Sequence, residues 1–297
     1  MLEFYHNNRA ILQVLLGAFM ISFSAVWVRA ADVPPTTSGL YRVFFGFLIL
    51  FVATFLKKEM RTIGVKNLLL IILCGCIFAL DLIFWHKSIF FIGPGLATIL
   101  SNFQAFILAA IGILFFGEKI RPRFLLSIPA AILGLFFVVG INWHDLSPNY
   151  KTGIFLGLLT AICYAGFLIS LRKIQREENH SSFFFTLMLI SLVCTIFLAL
   201  KMVLYGDPFI IPDTQNLYIL LSLAFFSQVL GWILIANSMP SIRTSLTGFI
   251  LLLQPALSFI WDVLFFSRPT NLTNWLGVIV TLAAIYMGVT GNLKNSD

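Results

Sequence analysis

Apolar residues gather in ten runs of about twenty, separated by short polar connections. The runs cover residues 10–30, 38–56, 67–90, 95–116 and 124–142, then 152–171, 183–204, 217–237, 244–265 and 273–291. About 20 mainly apolar residues are enough for a helix to cross the hydrocarbon core of a bilayer. In lipid the backbone must satisfy its own hydrogen bonds, which leaves helices or a closed barrel. The runs are too long and too continuously apolar for the alternating strands of a barrel. The pattern therefore predicts an all-α membrane protein with ten transmembrane helices. No connection is long enough to fold as a soluble domain.

The runs repeat. Leu114-Phe115-Phe116 has its counterpart in Leu264-Phe265-Phe266, and Gln104, Leu96 and Ser88 have theirs in Gln254, Leu246 and Ser238 at the same offset. Leu16-Gly17 matches Leu156-Gly157 at a smaller offset, so an insertion falls between. The expected organisation is two five-helix repeats, residues 1–145 and 146–297. Five is odd, so the second repeat must enter the membrane from the opposite side. The loops agree: Lys119, Arg121 and Arg123 follow the fourth span, but only Arg268 follows the ninth. A 5+5 inverted repeat is a recurring construction of secondary transporters, with the substrate site near the midplane between the halves.

Composition narrows the solvent. The chain is 60% hydrophobic and 10% charged, against roughly 25% charged residues in soluble domains, so most of its surface faces lipid. The net charge of +7 is explained by basic loops on one side of the membrane, and no nucleic-acid partner is expected. With the N-terminus inside, the inner segments collect most of the Lys and Arg, including Lys57, Lys58, Arg61 and Lys66. The outer side and its span edges hold Arg29, Arg42, Lys87, Lys151, Lys201 and Arg268. This bias puts both termini in the cytoplasm and the protein in the inner membrane. The first apolar run is too long for a signal-peptide core and reads as a span. Cys74, Cys76, Cys163 and Cys194 lie in apolar stretches without metal or redox spacing and read as packing residues. Neither a metal nor a cofactor is expected.

Three segments carry a family resemblance across nearly the whole chain: Tyr41-Arg42 opening the second span, Gly93-Pro94-Gly95-Leu96-Ala97-Thr98 opening the fourth, and Phe116-Gly117-Glu118-Lys119-Ile120 closing it. They resemble the drug/metabolite transporter superfamily in its EamA-type branch. Phe266-Ser267-Arg268 departs from the Gly-Glu pair that the second half would carry. The resemblance implies transport, often export, of amino acids or other metabolites or of drugs. It also implies a cavity lined by spans one to four and six to nine, with spans five and ten at the periphery.

Within that frame, Gln104 and Gln254 are symmetry mates about 12–15 Å deep, at 1.5 Å per residue. A glutamine amide both donates and accepts, which suits a polar or zwitterionic substrate; interhelical hydrogen bonding is the structural alternative. Pro255 reads as the proline deep in the middle of a span, freeing a carbonyl near Leu251 and placing a kink where gating could use it. Asp81, with Trp85 one turn on and then His86, lies within the third span, where a carboxylate needs a cavity or a partner. Arg42 is at a compatible depth. This group is a candidate for proton coupling or for holding a substrate amine, or else Asp81 and Arg42 form a structural ion pair. Trp85, Tyr41, Tyr164 and Trp232 are candidate substrate-binding aromatics, with the interfacial belt as the alternative for Trp85 and Tyr41. Asp262 and Trp261 read as interfacial anchors.

The function expected is a secondary transporter exporting a small amino-acid-like metabolite by alternating access, with protons as a candidate coupling ion and a monomeric or homodimeric state. No phosphate-binding GxxxxGK[ST] loop occurs. A membrane-embedded lipid-processing enzyme is the alternative. It would need clustered acid–base or metal-binding groups, yet His6, His86, His144 and His180 fall in separate segments. A passive channel or structural subunit is a third possibility.

Overall fold

The computed structural model describes residues 2–60, 62–116, 122–139, 146–176, 182–238 and 250–291. Glu118, Lys119, Arg121, His144, His180, Arg243 and the boundary between the two expected repeats lie outside the described residues. All regular structure among the described residues is helical. Eight helices are long and apolar enough to cross a membrane: α1 Arg9–Ala30, α2 Pro35–Leu56, α3 Val65–Ile92, α4 Pro94–Gly112, α5 Pro122–Val139, α6 Pro148–Ile174, α7 Phe183–Tyr205 and α8 Thr214–Ile235. Two shorter apolar helices follow, α9 Leu253–Phe266 and α10 Leu272–Gly288.

The helix starts are written in the sequence. Helices α2, α4, α5 and α6 each begin on a proline, whose fixed φ suits the first helical position and whose missing N–H is not needed there. Ser182 and Asp213 cap α7 and α8 by accepting from the N–H groups of Phe184 and Asn216. Gly206 closes α7 in the left-handed conformation.

Three helices are interrupted. Helix α1 is distorted at Phe23. Helix α4 is two pieces, Pro94–Ser101 and Gln104–Phe116, with a turn at Asn102-Phe103. Helix α8 passes through a π-helical stretch, Leu223–Gly231, which turns every later side chain away from its α-helical direction.

Among the described residues, extensive helix interfaces pair α1 with α8, α2 with α7, α3 with α6, α4 with α9 and α5 with α10, and α4 also packs broadly on α6. If α1–α5 are exchanged for α6–α10, the first five pairs are unchanged. Close crossings are made by glycine, as in lipid where apolar area alone does not drive association. A Cβ on Gly134 of α5 would lie 2.8 Å from the Gly277 carbonyl oxygen of α10, and one on Gly277 would lie 2.7 Å from the Gly134 oxygen. These two backbones are in direct contact.

Candidate functional site

Helices α2, α3, α7 and α8 enclose a buried polar cluster. Arg42, Asp81, His86, Ser191 and Gln228 are all nearly or fully buried. Antiparallel packing of α2 on α3 sets the levels: Ser38 meets His86, and Arg42, one turn deeper, comes to the level of Asp81 and Trp85. Ser38 Oγ and His86 Nδ1 share a 2.6 Å hydrogen bond. Arg42 Nε donates to Gln228 Oε1 at 3.1 Å. Gln228 Nε2 in turn donates to Ser191 Oγ at 3.3 Å. The guanidinium lies 5.4 Å from the centre of the Trp85 ring, a cation–π arrangement. Room for Gln228 comes from Gly46, since a Cβ there would sit 2.7 Å from Gln228 Cγ.

Opposite charges in this cluster do not close on each other. Asp81 and Arg42 act on one another electrostatically, but no ion pair of 4.0 Å or less joins them. Asp81 Oδ1 is buried without a hydrogen-bond partner, and so is His86 Nε2. A polar atom left this way costs about 1–3 kcal/mol, more for a charged group.

Aromatic rings form the wall beside the charges. Phe78, one turn from Asp81, stacks on Phe167 at 4.6 Å between ring centres. Phe167 is flanked by Tyr164 at 6.1 Å and by Trp232, edge-on, at 6.1 Å. Tyr164 is close enough to feel the charges of both Asp81 and Arg42. Six residues singled out from the sequence thus come to one region: Arg42, Asp81, Trp85, His86, Tyr164 and Trp232. Gln228 and Ser191 join them and were not anticipated.

The other candidates lie apart. Tyr41 stacks on Phe45 and donates its hydroxyl to the Phe209 carbonyl at 2.5 Å, which ties α2 to the loop after α7. Gln104 and Gln254 are half-buried, and among the described residues neither side chain makes a hydrogen bond to the cluster. They hold equivalent places: Gln104 starts the second piece of α4, and Gln254 is the second residue of α9, after a turn at Leu252. That turn corrects the position expected for Pro255. It falls in the first turn of α9, where its missing N–H matters little, and the helix is broken before it. The proline inside a continuous helix is Pro129 of α5.

A second polar cluster joins α9 to the start of α4. Asp262 is 2% exposed, which overturns its expected role as an interfacial anchor. Its Oδ2 accepts from Arg268 Nη1 and from the Gly95 N–H, both at 3.0 Å. Arg268 Nη1 also donates to the Ile92 carbonyl at 2.8 Å, and Nη2 to the Tyr150 hydroxyl at 3.4 Å. Ser267, left-handed at φ 50°, ends α9 and turns Arg268 back over it. Gly93, at φ 84°, makes the matching turn between α3 and α4, a conformation that favours glycine. A Cβ there would lie 2.6 Å from Asp262 Oδ2. The Gly93-Pro94-Gly95 segment is thus the receiving surface for a buried ion pair.

Among the described residues, no group of three or more His, Cys, Asp or Glu is arranged to hold a metal. The four cysteines are free.

Known proteins share the fold and the sequence pattern of this chain. A crystal structure superposes with a TM-score of 0.66 over 97% of this chain and 99% of its own, at 14% identity, a likeness in fold. The pseudopaline exporter CntI, from two strains of Pseudomonas aeruginosa, is 23% identical over 288 residues, 94% of this chain and 96% of the exporter. The model of the EamA-like transporter family matches twice, at residues 8–140 and 151–290. Two family matches that together span nearly all of a chain of apolar helices define it as a multi-pass membrane transporter rather than an enzyme: the protein belongs to the EamA-like transporter family.

Proposed function

We propose that the chain exports a small amino-acid-like metabolite across the inner membrane by alternating access, as ten spans in a 5+5 inverted repeat with both termini in the cytoplasm. The observation that carries this is the buried cluster of Arg42, Asp81, His86 and Gln228, whose carboxylate has an oxygen without a partner. Lipid-buried ionisable groups are expensive and mark transport pathways. The exchange-invariant pairing of helices supports the inverted repeat, since two similar bundles can rock about a site between them. Export follows the direction named for the pseudopaline exporter.

In this reading Asp81 carries the coupling proton or a substrate amine, with Arg42, Tyr164, Cys163 and Cys194 the titratable groups that feel its charge. Gln104 and Gln254 line the pathway at the two helix breaks. The test is efflux from proteoliposomes with and without a pH gradient. Asp81→Asn is expected to remove the response to the gradient while the protein inserts normally. A variant that transports with unchanged pH dependence would exclude coupling through this residue. Gln254→Leu is expected to stop efflux without loss of protein, and unchanged efflux removes Gln254 from the pathway.

A further inference from the structure

Arg42 and Asp81 are each about 94% buried, at one level of the bundle, and are not in contact. Two opposite charges in a low-dielectric interior attract strongly, so something must hold them apart. The structure shows what does. Gln228, seated against Gly46, takes the Nε–H of Arg42. Trp85 lies under the guanidinium. Ser191 fixes the far end of the Gln228 amide. Arg42 is therefore held by neutral partners only, and its terminal nitrogens make no hydrogen bond to another described residue. A buried cation without an anion is strongly destabilising in a finished core, and the same is true of Asp81. The arrangement is satisfied when a ligand supplies both missing charges.

We infer that the substrate carries a carboxylate, received by Arg42, and that Gln228 is the positioning residue that keeps the guanidinium turned from Asp81 toward it. This rests on the transport reading above and narrows it to zwitterionic carboxylates. A guanidinium presents parallel N–H groups that match a carboxylate. Asp81, on the facing helix, then takes the substrate's ammonium. One cation and one anion fit a ligand of balanced charge better than a phosphate ester.

The inference is separable from the transport reading by comparing acids with their amides. Proteoliposomes are loaded with L-amino acids and dipeptides, each beside its C-terminal amide, and efflux is followed for each. Wild-type protein is expected to favour the acids by about 10- to 100-fold, the range of a charge-assisted hydrogen bond. Arg42→Gln is expected to abolish that preference. Gln228→Glu keeps the shape but brings a carboxylate against Arg42, so KM for acids is expected to rise several-fold more than KM for the amides. It decides the matter should Arg42→Gln fail to accumulate. Equal efflux of acids and amides by wild-type protein overturns the inference and leaves transport standing. Efflux of none of these compounds overturns both the inference and the amino-acid reading on which it rests. A Gln228→Glu protein that slows acids and amides alike also overturns it, because Gln228 would then act only in packing.

Discussion

Removing Arg268 tests whether the contact between α9 and the start of α4 is a desolvated ion pair. Arg268→Met keeps much of the side chain's volume but leaves the Asp262 carboxylate with the Gly95 N–H as its remaining donor among the described residues. Asp262 is 2% exposed, so water cannot replace the lost partner. Stranding a buried charge in this way costs about 3–5 kcal/mol. Asp262→Asn in the same chain removes the stranded charge and preserves an acceptor for Gly95. The double variant should therefore recover most of the loss, with a coupling of about 2–3 kcal/mol. Reversible unfolding of the purified protein in mixed micelles, run as a double-mutant cycle, measures both quantities. A single-variant cost below about 1 kcal/mol, the range of an exposed pair, or simple additivity, would refute the reasoning.

Three further outcomes are expected. Gly46→Ala places a methyl 2.7 Å from Gln228 Cγ and should displace Gln228 from Arg42 at about 1–3 kcal/mol; efflux kinetics at matched protein levels will show a raised KM, and unchanged kinetics would mean that Gln228 is not held there. Gly277→Val should prevent α5 and α10 from meeting, since its Cβ would lie 2.7 Å from the Gly134 oxygen; the readout is loss of folded protein on size-exclusion chromatography, and normal yield would deny the backbone contact. Asp207, outside the spans, donates nothing and accepts from Lys201 at 2.5 Å, which holds its carboxyl below the ordinary value of 3.8. Its stabilising contribution is complete above that value and fades as pH falls through the lower folded value. The stability difference between wild type and Asp207→Asn should therefore be present at neutral pH and be lost only in acid, as the pH falls past the ordinary carboxyl value and through the lower folded one; a difference that does not change with pH would refute it.

Most of the architecture was legible because lipid imposes a length on every span and prolines mark where helices start. Nine of the ten runs found from hydropathy fall within about four residues of the helices; the ninth, expected from 244, meets α9 only from Leu253, and its first residues lie outside the described ones. The pairing of Gln104 with Gln254 was legible as a position and not as a contact, because sequence offsets report equivalence and not orientation. Gln228 escaped notice for a physical reason: it lies in the π-helical stretch of α8, where an α-helical wheel assigns its face wrongly. The signal that could have found it is Arg42, a buried cation in need of a neutral acceptor, opposite the small residue Gly46. Asp262 was misread because its depth was judged from the apolar run alone. The left-handed turn at Ser267, which folds Arg268 back onto it, leaves no periodic trace. Pro255 was misplaced for a related reason, since the turn at Leu252 divides what hydropathy reads as one span.

Every helix has its most extensive partner in the opposite half of the chain, and this bears on how the protein is made. A ribosome that has delivered α1 to α5 has delivered surfaces whose main partners do not yet exist. Those five helices must wait in the bilayer, coated by lipid, until the later ones arrive. Neither half is then expected to assemble when synthesised alone, whereas the two produced together as separate polypeptides should find each other.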